Sequence, residues 1–330
     1  MSGMHVKGMH HVSAMTGDAK GNLDFYTRIL GMRLVKKTVN QDDTSVYHLF
    51  YGDERGNAGT ELTFFDFRHL GQTVEGTNSI SSVSFRVPND DALRYWENRL
   101  TAFNVNTQPT ETFAGRKILR FRDPEGQRLA LVSDETNEGG AGGQPWNKSP
   151  VPVKYGIRGL GPVKLTVQDQ APTLDILNML GFTEKTRLPA LKAGQQDIVV
   201  LQTGAGGSGA EVQLEQRTDL ARERLGKGGV HHVAFRVADK DELMNWIEIV
   251  QKARIPNSGF VERFYFSSLY FREPNGILFE LATDGPGFDT DEPLEHLGET
   301  LALPPFLEPQ REKIEAKLMP LDTSNLKFDR

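Results

Sequence analysis

Alternating apolar and polar positions recur four times along the chain in nearly the same order. GMHHVSAM (8–15), SISSVSFRV (79–87), LGPVKLTV (160–167) and GVHHVAFRV (229–237) each read as a strand. Aligned on their central valines, Val12, Val83, Val163 and Val233, they are 71, 80 and 70 residues apart, which marks an internal repeat. A helix-period segment follows each one: NLDFYTRIL (22–30), DALRYWENRL (91–100), TLDILNML (173–180) and DELMNWIEIV (241–250). In the last of these, Leu243, Trp246, Ile247 and Val250 form an apolar stripe at three- and four-residue steps. Gly31 and Gly181 close the first and third helices, where a left-handed cap needs a residue without Cβ. Short β-rich runs complete each unit: VYHLFYG and ELTFFDF, ILRF and RLALVSD, DIVVLQT and EVQLEQ, LYFRE and ILFELAT. DPEG (123–126) and EPNG (273–276) read as turns before the last strands of the second and fourth units. The predicted unit is therefore strand, helix, then three strands, and the chain is an α+β protein of four βαβββ modules.

The run ETNEGGAGGQPWNKSPVP (135–152) is rich in Gly, Pro and Asn and divides the chain. Modules one and two fall in an N-terminal domain, 1–138. A linker spans 139–157, and modules three and four fall in a C-terminal domain, 158–284. The acidic, Pro-rich tail, 285–330, is expected to carry one helix in EPQREKIEAKLM (308–319).

Composition narrows the function. Acidic residues outnumber basic ones 44 to 38, so there is no basic excess to neutralise phosphates, and nucleic acid is not an expected partner. No apolar run approaches the roughly 18 residues of a membrane span, and MSGMHVKGMHHV lacks a signal-peptide pattern, so a cytoplasmic protein is expected. Cysteine is absent, which excludes disulfides, thiolate metal sites and a Cys nucleophile. Any metal must be held by His, Asp or Glu. Four of the eight histidines stand in two doublets, His10-His11 and His231-His232.

In the repeat alignment the second His of each doublet, His11 and His232, shares a column with Ser82 and Pro162. Strict strand alternation would let only one His of each doublet face a given cavity. Glu280 sits between Phe279 and Leu281 in the last strand of module four, where module two has Ala130. A buried carboxylate requires a partner. His11, His232 and Glu280 together would give a two-His-one-carboxylate face, suited to Fe(II) and also to Mn(II). His10 and His231 read equally as packing residues and as hydrogen-bonding or proton-shuttling neighbours of those ligands. Ser13, two residues from His11, shares its strand face and reads equally as an ordinary strand-end Ser. Arg263 reads from sequence alone as a solvated charge, and Tyr270 as strand packing.

The βαβββ plan, the HHV strands and the FEL strand resemble the vicinal oxygen chelate superfamily of glyoxalases and extradiol dioxygenases. Within it the chain is most similar to ring-cleaving para-hydroquinone dioxygenases, over MHHVSAMTGD, NLDFYTRILGMRLVKKTVN, YHLFYGDERGNAGTELTFFDF, GVHHVAF, RFYFSSLYFREPNGILFELAT and the GFDTDEP tail. The resemblance implies four βαβββ modules forming two barrel-like domains. It also implies an oxidoreductase that opens hydroquinone-type rings with O2, adding both oxygen atoms. The ordinary catechol branch takes its first His from module three, where Pro162 stands here. The metal ligands carried over are His11, His232 and Glu280, holding Fe(II), with Mn(II) as the alternative. The pocket residues carried over are His10, His231, Arg263 and Tyr270, with Ser13 where Thr is common. Arg263 would stabilise an oxyanion and Tyr270 would donate a hydrogen bond. The partners implied are a small aromatic substrate and O2, and a homodimer is compatible with the reading. The rivals are a catechol-type dioxygenase, a glyoxalase or thiol-transferase enzyme using Glu61 as a second acid, and a non-catalytic aromatic-binding protein.

Overall fold

The computed structural model describes residues 3–324 and 326. Residues 1, 2, 325 and 327–330, at the outer ends of the first and last predicted regions, lie outside the described residues. The predicted plan holds in all four modules. Module one runs β1 (Met9–Thr16), α1 (Ala19–Leu23), a π-helical continuation (Asp24–Ile29), β2 (Arg33–Asn40), β3 (Asp43–Gly52) and β4 (Glu61–Asp66). Module two is β5 (Ser79–Val87), α2 (Asp90–Ala102), β6 (Glu111–Phe113), β7 (Arg116–Arg122) and β8 (Arg128–Ser133). Module three is β9 (Leu160–Val167), α3 (Gln170–Met179), β10 (Thr183–Leu188), β11 (Ile198–Gln202) and β12 (Glu211–Gln216). Module four is β13 (Val230–Val237), α4 (Lys240–Lys252), β14 (Val261–Glu262), β15 (Ser267–Arg272) and β16 (Leu278–Thr283).

Local chemistry sets the boundaries. Asn89 and Asp239 cap α2 and α4 by accepting from the amides of Ala92 and Glu242. Gly31 and Gly181 have φ of +70° and +89°, as the predicted helix ends require. Leu243, Trp246, Ile247 and Val250 are the buried stripe of α4. The four aligned valines are fully buried, because one face of each opening strand lies in the apolar core.

The modules form two eight-stranded sheets, ordered β14-β15-β16-β13-β1-β4-β3-β2 and β10-β11-β12-β9-β5-β8-β7-β6. Module one is joined to module four by β1 against β13, and module two to module three by β5 against β9, both antiparallel. Each sheet thus takes one module from either side of the 139–157 stretch. That stretch is docked: Trp146 and Val151 are buried, and the Ser149 hydroxyl donates to the Gly31 carbonyl over 2.8 Å.

The two joints carry matching irregularities. Met9 opposes Phe235 while His11 opposes Ala234, so His10 is an extra residue on β1. Ser13 opposes His232 while Ala14 opposes Val230, so His231 is an extra residue on β13. In the other sheet the register also shifts between Ile80 and Ser82 and between Val83 and Phe85, at the repeat-equivalent places.

The tail covers β2, the last strand of the first sheet. Fully buried Lys36 directs Nζ to Asp291 (2.7 Å), Glu292 (2.5 Å) and the Phe288 carbonyl (2.9 Å). Ala302 donates its amide to the Lys37 carbonyl over 2.9 Å, and Val39 packs with Leu303, Leu307 and Ile314. The expected tail helix is shorter than its pattern: a 3-10 turn at Glu308–Gln310 followed by α5 (Arg311–Glu315). Replacing Lys36 by Met should leave two carboxylates without their buried cation and lower stability by about 3 kcal/mol. Urea denaturation checks the loss, and limited proteolysis should show faster cutting beyond Phe288; an unchanged midpoint would contradict this role.

Candidate metal centre and aromatic pocket

His11 and His232 reach the same point from neighbouring strands. Their Nε2 atoms are 3.3 Å apart, and Glu280 Oε2, from β16, lies 3.1 Å from the first and 2.9 Å from the second. All three side chains are buried, Glu280 completely. Glu280 Oε1 accepts the Ser268 hydroxyl at 2.6 Å, whereas Oε2 has no hydrogen bond of acceptable geometry. Burial pushes the Glu280 carboxyl up, but His11 and His232 outweigh it and hold the group well below the usual carboxylate range. His232 is lowered, chiefly by burial.

The bulges explain the doublets and correct the strict alternation expected from sequence. With an extra residue at His10, its ring turns beside its neighbour's, and His10 Nδ1 lies 2.9 Å from His11 Nδ1. His231 Nδ1 likewise lies 2.7 Å from His232 Nδ1, and His231 lines the same cavity as His232. His10 Nε2 is 3.0 Å from the Thr283 carbonyl, which only accepts, so this nitrogen carries the proton. His10 Nδ1 is then an acceptor, His11 Nδ1 is the donor, and His11 Nε2 presents a lone pair to Glu280 Oε2. Two acceptors converging at 3.1 Å repel unless a proton or a cation lies beside them, which makes the three side chains a candidate metal-holding group. Metal bonds of about 2.1 Å at right angles would put neighbouring donors about 3 Å apart. The three side chains therefore fit a divalent metal with one face occupied.

A second set of donors, His10, His11 and Glu61, also lies together. Glu61 Oε2 is 3.9 Å from His10 Nδ1 and lacks a hydrogen bond, and burial raises the carboxyl well above its ordinary value. A carboxyl whose charged form burial disfavours is the weaker candidate for a cation ligand. Glu61 thus stands behind the His doublet, opposite His11 in the strand register, while Glu280 is the acid kept ionised.

Beside the three donors is a cavity of about 350 Å³, walled by His11, His48, Phe50, Phe65, His231, His232, Arg263, Phe266 and Tyr270 among others. Phe266 packs on both His10 and His11, at 5.3 and 5.2 Å between centroids. Arg263 Nε donates to the Tyr270 hydroxyl over 3.2 Å, and its guanidinium also meets Asp42. Burial opposes the charge on Arg263, but Tyr270 and Asp42 raise its pKa; burial and Glu280 raise that of Tyr270. Both therefore remain donors near neutral pH. Phe264, φ +70°, forms a tight turn in which the Tyr265 amide bonds the Arg263 carbonyl at 2.9 Å, and this turn sets the approach of Arg263. Ser13 Oγ is 2.7 Å from Thr63 Oγ1. Of the sequence candidates, His11, His231, His232, Arg263 and Tyr270 reach the cavity wall, and Glu280 touches two of them. His10 and Ser13 stand behind it, held to His11 and Thr63. Sequence reasoning missed His48 and Ser268. Both stand on strands at alternating positions, His48 between Leu49 and Tyr47 and Ser268 two residues before Tyr270, and that alternation was the available signal.

The other sheet has a wider cleft of about 900 Å³ that includes Ser82, Arg120, Lys164 and Glu215. Ala130 opposes Ser84 there as Glu280 opposes Ala234. Among the described residues, the candidate metal-holding sets all belong to the sheet of modules one and four.

A profile of the Glyoxalase/Bleomycin resistance protein/Dioxygenase superfamily matches residues 8–131 and 159–281. MhqA of Bacillus subtilis (strain 168), provisionally named a ring-cleaving dioxygenase, is 56% identical over 319 residues, covering 96% of this chain and 100% of that protein. The chlorohydroquinone/hydroquinone 1,2-dioxygenase of Sphingobium indicum is 31% identical over 94% of this chain and 95% of its own. A crystal structure from Bacillus subtilis, described provisionally as a dioxygenase, superposes with a TM-score of 0.88 at 35% identity, covering 98% of this chain and 100% of that one.

Burial, followed by the neighbouring His11 and His232 respectively, lowers His10 and His231 from 6.5 to about 3. Between those values the unfolded chain binds protons that the folded metal-free protein does not. Its stability should therefore be complete above pH 6.5 and fall by roughly 3 kcal/mol for each of the two imidazoles as pH drops toward 4. Urea midpoints of metal-free protein across that range check this; a flat profile would contradict the neutral doublets.

Proposed function

The chain belongs to the Glyoxalase/Bleomycin resistance protein/Dioxygenase superfamily, and from that premise we propose that it is a ring-cleaving dioxygenase acting on hydroquinone-type aromatics at an Fe(II) held by His11, His232 and Glu280. The observation that supports it best is the convergence of two imidazole Nε2 atoms and one buried carboxylate oxygen beside an aromatic-walled cavity. The dioxygenase names of the long, full-coverage relatives point the same way, and one of them names hydroquinone. An Fe(II) bound there supplies the electron-transfer chemistry that ground-state O2 needs to react with an aromatic ring, and Mn(II) suits the same donors.

The chain's own residues divide the remaining work. His10 fixes the His11 tautomer through the Thr283 carbonyl and stands off the cavity wall, so it positions rather than shuttles. His231 faces the cavity as a neutral imidazole and is the residue placed to take or return a substrate proton. Tyr270, whose oxygen accepts from Arg263, keeps its own proton for donation into the cavity. The Arg263 cation, backed by Asp42, faces negative charge that develops on the ring oxygen. Phe50, Phe65 and Phe266 exclude water and fit a single ring. The reaction cleaves one ring carbon–carbon bond next to a hydroxyl, and both atoms of O2 end in the product, an extradiol-type outcome. The protein is cytoplasmic in this reading.

Anaerobically Fe(II)-loaded protein should consume one O2 per hydroquinone and show less activity on catechol. Glu280→Gln should lower both bound iron and oxygen uptake by at least about 10³-fold, because a neutral amide cannot balance the cation. Oxygen electrode and metal analysis read both. Bound iron without uptake on any dihydroxybenzene would overturn the proposal.

A further inference from the structure

His48 belongs to the cavity wall but is not among the groups placed to hold a metal or to move a substrate proton. It stands on β3, opposite Thr38 on β2 and Phe65 on β4. Its ring is held between Phe50 and Phe65, at centroid distances of 4.0 and 4.2 Å. Its Nε2 is 2.9 Å from Thr63 Oγ1, which is itself 2.7 Å from Ser13 Oγ. Ser13 opposes His232 on β13. A hydrogen-bond line thus runs from beside the candidate metal centre to His48, and it uses only one ring nitrogen. No hydrogen bond to Nδ1 is present among the described residues, and the half-buried side chain lines the cavity.

Strand order and register set His48 apart from the three donors. The sheet runs β13-β1-β4-β3, so His48 is two strands beyond the His11 strand. Phe65 pairs with both His48 and Met15, so His48 is level with Met15, four residues along β1 from His11, and lines the same cavity well apart from the three donors. A 1,4-diol has one oxygen at each end of its ring. A 1,2-diol has both at one end and would leave Nδ1 unmet. The Thr63 hydroxyl either donates to His48 or accepts from it, which makes Nδ1 a donor or an acceptor respectively. A phenolic hydroxyl matches either state.

We propose that His48 is a specificity-determining residue: its Nδ1 binds the hydroxyl of a 1,4-dihydroxylated ring that lies farther from His11, His232 and Glu280. This rests on the reading of the pocket as a site for hydroxylated aromatics. Phe50 and Phe65 fix the ring plane, and the Ser13–Thr63 line holds Nε2, so Nδ1 is presented without a rotamer search.

The test is ligand binding to metal-loaded protein without oxygen, comparing hydroquinone with 4-methylphenol, which replaces the second hydroxyl by a methyl group. Wild-type protein should prefer hydroquinone by about tenfold. His48→Gln, whose amide falls near the Nε2 position and keeps the Thr63 bond, should reduce the preference to within about twofold. His48→Asn, whose amide falls near Nδ1, should retain most of it. Unfolding midpoints and iron content serve as controls, and His48→Phe gives a second loss variant that keeps the aromatic stack. Equal preference in wild type, Gln and Phe variants would overturn the role of His48. Intact, His48-dependent preference without any hydroquinone-driven oxygen uptake would instead overturn the dioxygenase reading and leave the binding role standing.

Discussion

Glu280 places a carboxylate where no solvent reaches, with one oxygen on the Ser268 hydroxyl and the other facing two imidazoles. An isolated charge in that position would be strongly destabilising, so the surrounding structure has to supply a compensating cation. His11 cannot serve as the proton carrier at Nε2, because the Thr283 carbonyl fixes His10 and His10 fixes His11. The requirement falls on His232 Nε2 as a proton donor in the metal-free chain, or on a cation shared by the three donors. It also ties together distant parts of the sequence: His11 comes from module one, His232 and Glu280 from module four, and β1 pairs with β13 to bring them into register.

The second sheet separates what the fold provides from what the site adds. It has the same strand order, module by module, and register shifts at the same joint positions. The bulges are consequently a property of the β1–β13 type of joint and occur where no histidine is present. In the first sheet they were available to turn His10 and His231 beside His11 and His232. In the second, Ser82, Pro162 and Ala130 occupy the donor columns, and a cleft with Arg120 and a Lys164–Glu215 pair replaces the convergent set. What separates the two sheets is thus three side-chain identities placed on a backbone the molecule builds twice.

Much of this was legible in the sequence because its signals are local and repeated. Apolar alternation, the α4 stripe and the two helix-closing glycines gave every module its order of elements. The repeat alignment singled out His11 and His232 by contrast with Ser82 and Pro162. Glu280 stood out because an acid between Phe279 and Leu281 conflicts with its surroundings. The bulges were not legible, since they are set by pairing between strands more than 200 residues apart; strict alternation therefore misjudged the doublets. His48 has no unusual neighbours in sequence and acquires meaning only when β3 curls round the cavity. Lys36 reads as an exposed strand lysine until Asp291 and Glu292 of the tail reach it. Of the segment 22–30 predicted as helix only Asn22 and Leu23 belong to α1, and the π-helical continuation at Asp24–Ile29 shows no distinct sequence signal.

The central claim is that one cation sits between His11, His232 and Glu280 and at no other site among the described residues. Anomalous scattering at the iron edge, from crystals of protein loaded anaerobically with Fe(II), tests it directly. The account predicts one peak per chain within bonding distance of His11 Nε2, His232 Nε2 and Glu280 Oε2, and none in the cleft of modules two and three. A peak ligated by His10 and Glu61, a second peak in the other cleft, or no peak at the three donors would contradict it.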